Sequence, residues 1–155
     1  MQVAAILARA HAATHLGIRY KLGAGGFKPG LPTPGPNGQC DCSGFVAWCL
    51  GLSRQTSEHF YKTFNGGWIE TTAVWTDIGS SAGMFEPSEL RPGAVVVYPD
   101  GNNHQGHIGI VVDPTHVIHC SMGNDRSTGN AIQMTAMTVF QNNDKSRHGW
   151  LHGLS

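Results

Sequence analysis

The second half of the sequence carries the feature that most limits the fold: short β-branched runs that follow one another with only polar segments between them. They are AVVVY at 94–98, HIGIVVD at 107–113, HVIHCS at 116–121, AIQMTAMTV at 131–139 and HGWLHG at 148–153. Such runs, bounded by Gly, Pro, Asn and Asp, predict strands. Connections this short join antiparallel neighbours, because a parallel pair needs a longer crossover. We therefore predict an antiparallel sheet.

Helical periodicity is confined to the first third of the chain. An amphipathic first helix is predicted by apolar residues at helical spacing: Val3, Ile6, Leu7, Ala10 and Ala13. A second, largely apolar helix is predicted over 42–50, with Gly51 as its end. The Gly/Pro-rich stretch 23–39 predicts a long loop between the two helices, and 53–87 is expected to be an irregular cover.

Helices followed by strands predict an α+β fold, and 155 residues suit a single domain, 1–155, with one core. Basic and acidic residues number ten each, so the charge gives no indication of a nucleic-acid partner. No stretch approaches the ~20 apolar residues of a membrane span. The N-terminus has no basic start, and Arg9 and His11 interrupt its apolar run, so we expect no signal peptide.

Three of the four cysteines lie in QCDCSGFVAWC at 39–49. Cys42 falls in the predicted first turn of the second helix, directly after Asp41, a favoured N-cap residue. A helix N-terminus lowers the pKa of a thiol and favours the nucleophilic thiolate. We expect Cys40 to be an exposed thiol in the preceding loop and Cys49 to pack in the core. Position therefore favours Cys42 as a nucleophile.

A cysteine nucleophile needs a base, and that base needs an orienting group. His107 begins one predicted strand, and His119 lies twelve residues later in the next. Across a hairpin, one imidazole could accept the proton of Cys42 while the other orients it. A zinc site is the alternative, but the cysteine spacing does not match C-x₂-C, and His116 and His119 point to opposite faces of a strand. We expect neither metal nor cofactor.

The motifs together resemble the NlpC/P60 family of cell-wall cysteine peptidases. DCSGFVAW at 41–48, GHIGIVVD at 106–113 and VIHCS at 117–121 carry the resemblance. It extends to AATHLGIRYKLGAGG, LSRQTS and LRPGAVVVY, in the family's order. This resemblance implies a papain-like α+β fold, with the cysteine helix packed on a small antiparallel sheet.

The resemblance also implies roles for individual residues. Cys42 would be the nucleophile, His107 the general base and acid, and His119 the orienting residue. Backbone N–H groups at the start of the cysteine helix, at Ser43, would hold the oxyanion and the substrate, helped by the Tyr20 hydroxyl. The implied reaction is hydrolysis of an amide in a peptidoglycan stem peptide through a thioester, most commonly between D-glutamate and diaminopimelate.

Departures from the family pattern leave the identity of the cleaved bond unassigned. Ala94 replaces the usual Asp after Pro-Gly, and Pro114 and Thr115 replace a short Gly/Asn turn. The segment after the cysteine helix is long, and its Trp68 and Trp75 are interpreted as packing residues. The alternatives are an N-acetylmuramoyl-L-alanine amidase, an acyltransferase or transglutaminase-like enzyme, and a silent binding module. Intact Cys42, His107 and His119 argue against the last.

A wall substrate implies a place of action. We expect a monomer, made in the cytoplasm, that acts on the wall in the periplasm or outside the cell. A phage or a secretion apparatus would deliver it, with an immunity protein as a further partner of an antibacterial toxin, unless the chain is an excised domain. No nucleic-acid or membrane partner is expected.

Overall fold

The computed structural model describes residues 1–155 and contains six helices and eight strands. The helices are α1 (Val3–Ala13), α2 (Cys42–Cys49), α3 (His59–Asn65), α4 (Thr71–Ser80), α5 (Met122–Thr128) and α6 (Thr138–Gln141). The strands are β1 (Arg19–Tyr20), β2 (Gln39–Cys40), β3 (Phe85–Pro87), β4 (Val95–Tyr98), β5 (His107–Asp113), β6 (His116–Cys120), β7 (Ile132–Ala136) and β8 (Arg147–Leu151). The predicted α+β class is confirmed.

Six strands form one antiparallel sheet in the order β3-β8-β4-β5-β6-β7. The β5–β6 hairpin pairs Ile110 with Ile118, and its register then shifts at a bulge before Asp113. Asp113 Oδ1 accepts hydrogen bonds from the N–H and the hydroxyl of Thr115, at 2.8 and 2.9 Å. This Asx-type turn accommodates Pro114 and Thr115 without a glycine.

The two faces of the sheet have separate cores. On one face, α1, α2 and α4 cover a cluster of 26 buried residues that includes Phe45, Ile108 and Ile118. On the other, a smaller cluster contains Val117 and Phe140. All residues of α2 are buried, so this helix is held from every side. None of the helices has the length and apolarity needed to cross a membrane.

The segment 53–87, expected to be irregular, contains α3, α4 and β3. Glu58 caps α3 by accepting from the N–H of Tyr61, and Glu70 caps α4 by accepting from the N–H groups of Thr72 and Ala73. Glutamate is not among the favoured N-cap residues, and both helices are short. The expectation was therefore wrong because the usual start signals are missing.

Candidate active site

Helix α2 begins at Cys42 with the predicted cap. The Oδ1 atom of Asp41 accepts a hydrogen bond from the N–H of Gly44 at 2.9 Å, and Oδ2 accepts from Gly23 at 2.7 Å. The N–H groups of Cys42 and Ser43 belong to the first turn, where no intrahelical acceptor exists. Two backbone donors are thus left available beside the thiol.

A buried arginine, Arg54, holds this cap in place, although no sequence pattern marked it as a site residue. Arg54 Nη1 and Nη2 contact the two carboxylate oxygens of Asp41 at 2.7 and 3.1 Å, and both side chains are only 3% exposed. Nη2 also donates to the Ser43 hydroxyl, and Nη1 to the carbonyls of Ala24 and Gly25. Arg54 therefore ties the Gly/Pro-rich loop to the start of α2. Only its place in the LSRQTS motif could have pointed to it.

The structure brings the two predicted histidines together. His107 Nε2 lies 2.7 Å from His119 Nδ1, and both side chains are buried. The His107 ring is stacked on Phe140 of α6, with centroids 5.3 Å apart and planes at 9°. Packing on one side and the hydrogen bond on the other fix the ring, and the bond leaves Nδ1 of His107 as its free nitrogen.

Cys42 lies beside the strand that carries His107. Helix α2 packs against β5, and the backbone N–H groups of Ile108, which follows His107 in that strand, and of Ser43 act to lower the pKa of the thiol. No hydrogen bond joins the thiol to His107 in this structure. Catalytic hydrogen bonds of this kind are often long in the free enzyme and tighten when substrate binds.

Burial favours the neutral form of both partners. Burial, with a smaller contribution from the Asp41 carboxylate, raises the pKa of the Cys42 thiol to about 12. Burial, with a smaller contribution from His119, lowers the pKa of His107 to about 3, and burial alone lowers the pKa of His119 to about 4. The expectation of a thiol pKa below the ordinary value was therefore wrong, because desolvation outweighs the favourable N–H groups and Arg54.

The rate of alkylation tests this neutral state. With the thiol pKa far above neutral, the thiolate fraction rises about tenfold per pH unit, so reaction of Cys42 with iodoacetamide should accelerate steeply from pH 7 to 10. The modified residue would be identified by native mass spectrometry and peptide mapping, with Cys42→Ala as the blank. A rate that stays flat from pH 5 to 8 would instead show a preformed thiolate–imidazolium pair.

An open cleft of about 530 Å³ lies over the thiol. Cys42 and Ser43 line it from α2, and Tyr20 lines it from β1. The Ser43 hydroxyl contacts Arg54, so its backbone N–H is the group left for a substrate. Burial raises the pKa of the Tyr20 hydroxyl, with a contribution from Cys42, so this hydroxyl stays protonated and able to donate.

The two tryptophans of the long segment differ. Trp68 lines the cleft, and the guanidinium carbon of Arg54 lies 4.9 Å from the centroid of its ring. The Trp68 ring also meets the Phe27 ring edge to face. Trp75 lies outside the cleft, where its indole N–H donates to the Lys145 carbonyl and the Arg147 guanidinium stacks on its ring. The packing interpretation holds for Trp75, whereas Trp68 forms a wall of the cleft.

Cys40 is not an exposed thiol. It is fully buried on β2, where it pairs with Tyr20 of β1, and its thiol donates to the Asp41 carbonyl at 3.3 Å. Cys120 Sγ donates in turn to the Cys40 carbonyl. The prediction failed because this segment forms a short strand instead of a loop.

All four cysteines are free, and no cluster of three or more His, Cys, Asp or Glu side chains could hold a metal.

Comparison with known proteins agrees with this geometry. The model of the CHAP domain matches residues 32–124, more than half of the chain, and the match contains Cys42, His107 and His119. No curated protein matches the sequence significantly. A crystal structure of the NlpC/p60 domain of the peptidoglycan hydrolase SagA superposes with a TM-score of 0.52 at 19% identity, covering 96% of this chain and 97% of that one. The predicted NlpC/P60-like fold is confirmed, and the chain belongs to the CHAP domain family.

Proposed function

We propose that this protein is a peptidoglycan hydrolase that cleaves an amide of the stem peptide, with Cys42 as its nucleophile. The observation that carries the proposal is the position of Cys42, which lies in the first turn of α2, lines an open cleft, and is next to β5, the strand that carries the hydrogen-bonded His107. The structural relative SagA, described as a peptidoglycan hydrolase, supports the substrate class.

The free nitrogen of His107 defines the proton path. Nδ1 of His107 accepts the thiol proton as Sγ of Cys42 attacks the substrate carbonyl carbon, and a C–S bond forms. Because both groups are neutral at rest, this transfer accompanies the attack, which is general-base catalysis. The resulting imidazolium of His107 still donates its Nε2–H to Nδ1 of His119, and the His119 ring remains neutral.

The N–H groups of Cys42 and Ser43 stabilise the oxyanion that forms on the carbonyl oxygen, because they lie at the positive end of α2. The Tyr20 hydroxyl is a further donor at the same side of the cleft. His107 then gives its proton to the leaving amine, the C–N bond breaks and a thioester remains. Water gives a proton to His107 as its oxygen attacks the thioester carbonyl carbon. The C–S bond then breaks, the carboxylic acid leaves, and His107 returns the proton to Sγ of Cys42.

The bond is proposed to be the one between D-glutamate and diaminopimelate. The test is digestion of purified sacculi, followed by mass spectrometry of the soluble products. We expect fragments that end in a free D-glutamate carboxyl and others that begin with a free diaminopimelate amine. Release of peptides that begin with L-alanine would identify the muramoyl–alanine amidase instead. A sample in which neither product forms would contradict the proposed function.

An added amine distinguishes hydrolysis from acyl transfer. The cleft is open to solvent above the thiol, which favours water as the acceptor of the acyl group. We therefore expect free carboxylates to dominate even when an amine such as glycinamide is present. Products that carry mainly the added amine would assign the protein as an acyltransferase on the same fold.

We also propose that the protein acts as a monomer on the wall, in the periplasm or outside the cell, because the substrate lies there and one chain supplies every site residue. A phage particle or a secretion apparatus is the proposed delivery route, and an immunity protein that covers the cleft is the proposed partner in a producing cell.

A further inference from the structure

The chain of hydrogen bonds behind His107 does not end at His119. Nε2 of His119 lies 2.7 Å from the hydroxyl oxygen of Thr135. Thr135 belongs to β7, which pairs with β6 so that Thr135 lies opposite Val117 and Gln133 lies opposite His119. The hydroxyl thus reaches diagonally across the two strands to the second histidine.

The Thr135 hydroxyl can either donate or accept in this hydrogen bond, and its choice decides which nitrogen of His119 carries the proton. Thr135 has an acceptor for its own proton in the carbonyl of Ala136, at 3.4 Å. With that proton directed to the carbonyl, the hydroxyl oxygen accepts from His119 Nε2–H. Nδ1 of His119 then carries a lone pair and accepts from Nε2–H of His107.

We propose that Thr135 is a positioning residue that fixes the tautomers of both histidines so that Nδ1 of His107 is the unprotonated nitrogen. The inference rests on the proposed function in one respect, the role of His107 as the base. If Thr135 donated instead, His119 would carry its proton on Nδ1, and His107 would accept at Nε2 and be protonated at Nδ1. That arrangement could not take a proton from Cys42.

The surroundings already fix the orientation and the charge of the histidine rings, so the tautomer is the property left for Thr135 to set. The Phe140 stack already fixes the plane of the His107 ring, and burial keeps both imidazoles neutral. His119 Nε2 has no other hydrogen-bond partner in the structure. Loss of the hydroxyl would leave the partly buried Nε2–H of His119 without a protein acceptor, so the balance would move toward the tautomer that protonates Nδ1.

Two substitutions separate the hydroxyl from the shape of the side chain. Thr135→Val keeps the branched shape in a strand and removes the hydroxyl, whereas Thr135→Ser keeps the hydroxyl. We expect Thr135→Val to lower kcat roughly 10-fold with KM unchanged, which is the ratio expected for the loss of one ordinary hydrogen bond. Thr135→Ser should keep the wild-type rate. Unchanged activity of the Val variant, or an equal loss in the Ser variant, would overturn the proposal.

Nitrogen-15 NMR of the histidine rings at pH 7 reads the tautomers directly and needs no substrate. We expect both rings of the wild-type protein to carry the proton on Nε2, and the Val variant to show a larger fraction protonated on Nδ1. A wild-type spectrum with Nδ1–H on His107 would refute the assignment. Because this measurement does not depend on hydrolysis, it remains decisive even if sacculi are not the substrate.

Discussion

Replacing Cys42 with alanine is expected to lower kcat/KM for peptide release from sacculi by at least about 10³-fold, the scale on which removal of a catalytic nucleophile acts. The thiol is the only one that lines the cleft, and its side chain packs at the first turn of α2 without a hydrogen bond to His107. The fold should therefore persist. The rate would be followed by mass spectrometry of released peptides, and the fold by circular dichroism and thermal melting.

Cys49→Ala is the matched control, because Cys49 lies on the same helix, is fully buried and does not line the cleft. We expect it to lose some stability, about 1 kcal/mol, from the small cavity, and to keep its activity. Cys40→Ala should behave in the same way. Activity in Cys42→Ala together with its loss in Cys40→Ala would show that the nucleophile was assigned to the wrong cysteine.

The parts of the fold that follow from local periodicity were predictable from the sequence. The run HIGIVVD coincides with β5, and the apolar run after Asp41 coincides with α2. The twelve-residue spacing of His107 and His119 suggested that they meet, because a hairpin leaves little choice of partner. Motif order then indicated the NlpC/P60-like fold, which the structural comparison confirms.

Contacts between distant segments were not predictable in the same way. Thr135 reaches His119 only through the β6–β7 register, and Phe140 covers His107 only because the chain turns into α6 after β7. The predicted direction of the Cys42 pKa shift was wrong for a related reason. A position at a helix N-terminus is visible in the sequence and favours a lower pKa, whereas the depth of burial, which raises the pKa by more, is a property of the packed structure.

The second large effect is expected at Arg54, the residue that joins the Gly/Pro-rich loop to the start of α2. Arg54→Met should lower the free energy of unfolding by about 3–5 kcal/mol, because it leaves the buried Asp41 carboxylate without its countercharge. Urea denaturation measures this change. Arg19→Met is the control: its pair with Asp125 is exposed, with Arg19 61% accessible, and its loss should cost far less than the loss of Arg54.

A double variant separates the ion pair from the helix cap. Asn caps a helix as well as Asp does, so Asp41→Asn added to Arg54→Met removes the unpaired charge and keeps the hydrogen bond to the Gly44 N–H, although the amide NH₂ group can no longer accept from the Gly23 N–H. We therefore expect the double variant to be more stable than Arg54→Met alone. If it were less stable, the hydrogen bond to the Gly23 N–H would outweigh the cost of the unpaired buried charge. Arg54→Met should also lower peptide release, because it loosens the start of α2 and the N–H groups beside Cys42, and the double variant should regain activity in parallel with its stability.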